Sequence, residues 1–292
     1  MLSKQIKQII WWKSCKYFLV YLPFKNFLKL VFWINNFRLG TKYYDLCFNN
    51  PRTFNEKIIY LMLNDRNDLI PITTDKIRVR KFVEDRIGKK YLIPLIKIFN
   101  SIDEIEYSDL PKQFALKTTH GCGGWNLICE NKEQISWKNE KKKLKGFLKM
   151  NPYFISREWQ YNFRPKLICE ELIGYNLIDY KFFCSKGIVK AIQVDLGRFT
   201  KHERIILNPK WEKLNIYIRY KDSLVNIKKP SKLKKMIEIS EKLSSSFLIC
   251  RVDLFFYKNQ IYFGEITHSP GGGVEPFMDY QQDLDFGRLF SF

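Results

Sequence analysis

The sequence predicts an α+β protein, with helices and strands mixed rather than strictly alternating as a doubly wound sheet requires. Three observations carry that reading. Apolar residues recur at helical spacing in "NPRTFNEKIIYLMLNDR", and a second helical stretch covers about residues 231 to 246. Runs such as "FALKT", "KLICEEL" and "DYKFFCSKGIVKAIQVDLGR" have the length and the β-branched or aromatic content of strands. "RVDLFFYKNQIYFGE" reads as two strands about a short polar turn.

In chain order, the first of these helices starts at a proline and buries Phe54, Ile58 and Leu61. "TTDKIRVRKFVEDRIG" has a Thr-Asp start, a basic helical run and a terminal glycine, Gly88. "YLIPLIKIF" is strand-like, and "PKQFALKTTHGCGGWNLICE" is strand, glycine loop, strand. Residues 133 to 163 turn helical and basic before strands resume. Neither an internal repeat nor a low-complexity linker interrupts the order, and 292 residues suffice for one large domain or a few small ones.

Hydrophobic residues make up 46% and aromatics 16%, so the chain is globular rather than disordered. Its formal charge is +20, from 50 Lys+Arg against 30 Asp+Glu. Such a surface favours polyanions, whether nucleic acid, anionic lipid or acidic sugar polymer. Zinc-ligand spacing and an aromatic-basic ribonucleoprotein box are both missing, so no nucleic-acid partner is expected. Seven cysteines without a C-x-x-C pair, several inside apolar runs, suit reduced buried thiols in a cytoplasmic protein.

Residues 1–45 read as a basic amphipathic helical arm, and 46–292 as the main domain. In "IKQIIWWKSCKYFLVYLPFKNFLKLVFWINNF" no run reaches the about 18 uncharged apolar residues of a spanning helix. Trp, Phe, Leu and Ile are interleaved with lysines, with Pro23 as a break. That composition fits helices lying in a bilayer interface, here the inner leaflet, and equally a pair of helices packed on the protein body.

Two acids interrupt the last hairpin, Asp253 and Glu265, where apolar residues are expected. With a three-residue turn at Lys258-Asn259-Gln260, Tyr257 faces Ile261, Asp253 faces Glu265, and Arg251 faces Thr267. Opposed residues share a face with Cβ atoms roughly 4.5–5.5 Å apart, so two carboxylates there repel. A hard divalent cation such as Mg²⁺ removes that repulsion, and the hairpin then reads as a metal clip. A solvent-facing edge with incidental acids, or a pair sharing a proton, remain the alternatives. Arg251 on the same face suits an anionic reactant.

Lys117 stands near a strand end before Gly121, Gly123 and Gly124, in "FALKTTHGCGG". Glycines let backbone N–H groups close over phosphate oxygens while the lysine supplies charge, although a plain hairpin turn has the same composition. Lys76 in "TTDKIRV" is a second phosphate candidate, or a solvated surface lysine. Glu170 and Glu171 follow an apolar strand and suit a hinge that reads an adenine edge, or an exposed strand end. Asp179 and Lys181 share a strand face and suit ribose or phosphate, or form a salt pair.

In this order, "PRTFNEKI", "TDKIRVRKFV", "LPKQFALKTTHGCGG", "SREWQY", "EELIG", "DYKFFCSKG" and "RVDLFFYKNQIYFGEIT" resemble the ATP-grasp superfamily and, within it, the TupA-like family, named for teichuronopeptide synthesis. The resemblance covers residues 51 to about 290. It implies two α+β subdomains that clamp ATP, and an amide-forming reaction through an acyl-phosphate. Lys76 and Lys117 would then hold the ATP phosphates under the 121–124 loop, and Glu170, Glu171, Leu172 and Ile173 would flank the adenine. Asp253 and Glu265 would hold Mg²⁺, and Arg251 would stabilise the tetrahedral oxyanion. Many superfamily members carry Asn where this chain has Thr267, a weaker ligand, which puts a second metal position in doubt. His268, Ser269, Gly271 and Gly272 fall where the acceptor substrate is contacted.

The expected function is an ATP-dependent carboxylate–amine ligase of surface-polysaccharide biosynthesis. Its partners would be an acidic sugar or lipid-linked polysaccharide, an amino acid or other amine, and the inner-membrane surface. The alternatives are a glycosyltransferase, for which a D-x-D signature is missing, and a sugar kinase of ATP-grasp type. A non-catalytic scaffold is opposed by the presence of Lys76, Lys117, Asp253 and Glu265 together.

Overall fold

The chain divides into two compact units, and among the described residues each has its own buried hydrophobic cluster and antiparallel sheet. The computed structural model describes residues 21–121, 125–197, 202–220 and 227–291. Every strand pairing among the described residues is antiparallel, so the α+β expectation holds.

The first unit takes in Asp68–Phe82 and Ile93–Tyr175. Its four-stranded sheet runs β1-β4-β2-β3, with β1 Leu95–Phe99, β2 Phe114–Thr118, β3 Asn126–Cys129 and β4 Leu167–Glu170. Phe114, Leu116, Leu127 and Leu167 fill the core with Trp125, whose ring stacks on Phe147 at 5.6 Å. Within the basic 133–163 stretch, a helix at Trp137–Leu148 buries Leu144 and Phe147. Its lysines are partly or fully exposed, the division an amphipathic surface helix requires.

The second unit takes in Pro23–Asn67, Val83–Leu92 and Asn176–Phe292. Its helices are α1 Phe24–Leu39, α2 Phe54–Asn64, α7 Leu233–Ser244 and α8 Tyr280–Arg288; α3 Leu69–Thr74, α4 Val79–Ile87, α5 Trp137–Leu148 and α6 Pro152–Ile155 precede α7 in the chain. The five-stranded sheet runs β7-β6-β5-β8-β9: β5 Asp179–Ser185, β6 Ile188–Leu196, β7 Glu203–Leu207, β8 Ile249–Tyr257 and β9 Gln260–Thr267. One face is covered by α7, which buries Leu233, Met236, Ile239 and Leu243. On the other, Phe54 of α2 meets Phe183, Phe286 and Phe290 at ring separations of 4.9–5.5 Å. Each such buried phenylalanine contributes about 1.5–3 kcal/mol by area. The start of α2 is closed by a capping box between Thr53 and Glu56. Buried Glu56 also accepts from Cys47 N and Arg52 N, which ties the preceding loop down.

The stretch read as an arm, 1–45, is described only from residue 21. Its helix α1 buries Phe27, Leu28, Phe32 and Asn36 within the second unit, and Asn35 Nδ2 donates to Val274 O. No helix among the described residues is long and apolar enough to cross a membrane.

Candidate active site

In the first unit, β2 and β4 pair so that Lys117 lies opposite Ile168 and Glu170 opposite Ala115. Lys117 Nζ reaches Glu170 Oε2 at 2.7 Å, and Arg80 Nη1 of α4 reaches Glu170 Oε1 at 2.7 Å. Glu170, expected beside an adenine, is therefore a buried anchor shared by two cations. Arg80, which also donates to Ile93 O, is a participant that the motif reading did not single out. Its four-residue separation from Lys76 in "DKIRVR" was the available signal.

Lys76 Nζ donates to Gly121 O at 2.5 Å, and Lys76 N donates to Thr119 O. Both lysines thus belong to the neighbourhood of the glycine loop. Gly121 is required there, because a Cβ would overlap Thr118 Oγ1 and the Trp125 side chain. Gly123 and Gly124 lie outside the described residues. The loop's ends are fixed by His120, whose Nε2 donates to Met150 O at 2.7 Å, and by Trp125. Burial pushes the His120 pKa down to about 4, so the imidazole is neutral and serves as a hydrogen-bonded support. Glu171 is exposed, its N–H donating to Pro94 O, and Leu172 and Ile173 are half-buried.

In the second unit the charged face of the sheet is continuous. Asp253 faces Glu265 and Arg251 faces Thr267 across β8 and β9, as the alternation required. The turn, however, is the two-residue Lys258-Asn259, both with positive φ, and Tyr257 faces Gln260 instead of Ile261. A bulge at Gly264 makes up the missing residue and restores the 253–265 register. A Cβ at Gly264 would lie 3.0 Å from Asp253 O and 3.1 Å from the Phe255 ring, so a side chain there would crowd the bulge.

Lys181 Nζ bridges Asp179 Oδ2 at 2.7 Å and Asp253 Oδ2 at 2.8 Å. The salt-pair alternative for Asp179 and Lys181 is the arrangement seen. Arg251 grips Asp253 with Nε at 2.6 Å and Nη2 at 2.7 Å, and Nη2 also donates to Thr267 Oγ1 at 3.2 Å. Glu265 Oε1 is 3.5 Å from Arg251 Nη2 and accepts from Thr267 Oγ1 at 3.3 Å. Burial pulls the Lys181 pKa down, but Asp179 and Asp253 outweigh it and the net shift is upward. Burial raises the Asp253 pKa against the opposing pull of Arg251 and Lys181. With two cations within 2.8 Å, that carboxylate is ionised at neutral pH.

The same face extends to Asp195, opposite Asp179 on β6, which Arg204 of β7 grips at 2.7 and 3.3 Å. Arg204 also reaches Glu275 Oε1 at 3.1 Å. "IQVDLGR" carries the same signal as "RVDLFF", an acid inside an apolar strand. His268 is buried against Phe247, and desolvation pushes its pKa down to about 3. Ser269 is buried, and its carbonyl accepts from Gly272 N in a left-handed turn that includes Gly271.

The TupA-like ATPgrasp family model matches residues 56–291. This chain belongs to that family. Solved structures similar to this TupA-like ATP-grasp protein include D-alanine–D-alanine ligase from Bacillus anthracis, at 14% identity, covering 68% of this chain and 56% of that one, TM-score 0.39. L-amino acid ligase from Bacillus licheniformis is 15% identical, with 69% and 45% covered and TM-score 0.42. N5-carboxyaminoimidazole synthase from Aspergillus clavatus is 13% identical, with 69% and 45% covered and TM-score 0.40. The chain spans about half the length of these structures. The comparison with curated proteins gives no match.

ATP-grasp chemistry raises the question of a divalent cation. Around Asp253, three carboxylates (Asp179, Asp253, Glu265) stand against two cations, Lys181 and Arg251, so the cluster has a negative balance. Its donors are hard oxygens, and Glu265 is the least buried of the three carboxylates. Among the described residues no group of three or more His, Cys, Asp and Glu side chains is placed to hold a metal. Two carboxylates, with water and phosphate completing the shell, match the way Mg²⁺ is commonly held. Asp253 and Glu265 are therefore the residues that would hold such an ion, with Thr267 linking Glu265 to Arg251 by hydrogen bonds.

Proposed function

We propose that this chain is an ATP-dependent carboxylate–amine ligase of surface-polysaccharide biosynthesis, joining an amino acid or amino sugar to the carboxylate of a hexuronic acid. The observation that carries the proposal is the opposed pair Asp253 and Glu265 with Arg251 beside it, in a chain of an ATP-grasp family. In the ligase reaction a carboxylate oxygen attacks the γ-phosphorus of ATP, releasing ADP. The amine then attacks the resulting acyl-phosphate, an amide forms, and phosphate leaves with the amine proton passed to solvent.

Lys76 and Lys117 would neutralise the nucleotide phosphates, Lys117 arriving already oriented by Glu170 and Arg80. Arg251 would stabilise the oxyanion of the tetrahedral intermediate formed when the amine attacks, held in place by Asp253 and Glu265. A Mg²⁺ at Asp253 and Glu265 would supply charge neutralisation for the phosphates. No side chain need act as a nucleophile, because positioning and electrostatics carry a reaction of this kind. The +20 charge supports an acidic sugar acceptor.

The test is ATP turnover with Mg²⁺ across uronic acids, with and without an amine pool, and with Glu265→Gln as control. ADP and phosphate that need both substrates and vanish in the variant support the ligase. ADP with a phosphorylated sugar means a kinase. Absence of hydrolysis, with the fold stabilised by a nucleotide-sugar, means a glycosyltransferase.

A further inference from the structure

Helix α1 is apolar on two opposite faces. One face, Phe27, Leu28 and Phe32, is packed in the second unit, and buried Asn36 is satisfied locally by Phe32 O and Thr41 Oγ1. The other face carries Trp33 and Phe37, 49% and 76% exposed, stacked on one another at 5.8 Å. Partly buried Leu30 and Ile34 continue this outer stripe at helical spacing. A helix apolar all round is ordinarily enclosed, so an outer aromatic stripe in solvent marks a contact surface.

We propose that this outer face of α1 seats on an anionic bilayer surface. Charge selects the occupant. Lys25, Lys29, Arg38 and Lys42 flank the stripe, and the first acid in the whole chain is Asp45, 3.9 Å from Lys29. A second copy of the chain would set these cations against their own kind, whereas anionic headgroups neutralise them. Trp33 and Phe37 are of the amphipathic and apolar types that enter the headgroup boundary, while Lys and Arg keep their charges at the phosphates. The helix would lie along the surface, because it does not meet the requirements of a span. Nothing in this proposal depends on the ligase reading.

The full chain is sedimented with vesicles of phosphatidylcholine alone, or containing roughly 30% phosphatidylglycerol. Two variants accompany it: Trp33→Ser with Phe37→Ser, and Lys25→Gln with Lys29→Gln, Arg38→Gln and Lys42→Gln. The expected result is partitioning to the anionic vesicles only, about tenfold weaker in either variant and weakened by salt in the wild type. Both aromatic side chains are exposed, so the aromatic variant retains the thermal midpoint. Equal binding by wild type and aromatic variant would overturn the proposal, locating the contact elsewhere in the chain. So would binding to neither vesicle, or a wild-type dimer that the aromatic substitutions dissolve in sedimentation velocity without lipid.

Discussion

Asp253 and Glu265 face one another across β8 and β9 because a bulge at Gly264 compensates a two-residue turn. Without the bulge the strands would slip by one residue and every side chain of β9 beyond it would change face. The carboxylate pair is thus a product of one glycine as much as of the two acids. Gly264→Ala is expected to cost about 1–3 kcal/mol, since the new Cβ meets the Asp253 carbonyl and the Phe255 ring. Denaturant unfolding measures this, and Mg²⁺-dependent nucleotide stabilisation should weaken in the same variant.

Glu265→Gln is the cleaner test of the proposed cation site. Its side chain is 31% exposed and Arg251 remains gripped by Asp253, so stability should change by about 0.5 kcal/mol or less. Mg²⁺-dependent ATP turnover should fall on the order of 100-fold, by loss of charge stabilisation. Asp253→Asn, by contrast, should unfold more easily by about 3 kcal/mol, because buried Arg251 loses its two-bonded carboxylate and keeps only Glu265 at 3.5 Å, while Lys181 retains Asp179.

Two lysines should behave in opposite ways when cut to Met. Glu170 keeps Arg80 at 2.7 Å when Lys117 is lost, so Lys117→Met should fold within about 1 kcal/mol of wild type yet bind ATP at least about tenfold more weakly. Lys181 neutralises Asp179 and Asp253 while buried, so Lys181→Met should lose about 3–5 kcal/mol of stability. Chemical denaturation and nucleotide titration of the two variants separate the outcomes.

The histidines should make the fold sensitive to acid. Burial lowers His120 to about 4 and His268 to about 3 in the folded chain, against about 6.5 unfolded. The unfolded chain therefore binds more protons below pH 6.5. Stability is fully present above that value and is lost as pH falls toward 4 for His120 and toward 3 for His268, on the order of 3–5 kcal/mol each. Asp283 works the other way. Burial raises it to about 6, so its contribution is full below about pH 4 and is lost as pH rises toward 6. Unfolding midpoints between pH 4 and 7 should rise with pH, and His268→Gln should flatten that slope.

The hairpin acids, the strand lysine before a glycine loop and the capping glycine Gly88 were legible as local patterns, while α2 begins at Phe54 behind the Thr53 cap rather than at the proline. Each depends on residues close in the chain or on strand alternation. The element order was legible for the same reason, except for the short helix α3, the strand β7 and the helix α8. The two-residue turn was open to misreading, because a bulge elsewhere in the hairpin conceals a one-residue difference in its length.

By itself, then, the sequence determined the element types, the alternating faces of β8 and β9, and a basic chain whose motifs place it in a family. Only the tertiary structure decided the partners. Arg80 joins Glu170 from ninety residues away, Lys181 ties Asp179 to Asp253 across neighbouring strands, and α1 has an apolar face left over after packing. Those outcomes depend on burial and charge pairing between segments far apart in the chain. Periodicity reports which face a side chain takes, while the group it meets there is set by how the sheets and helices assemble.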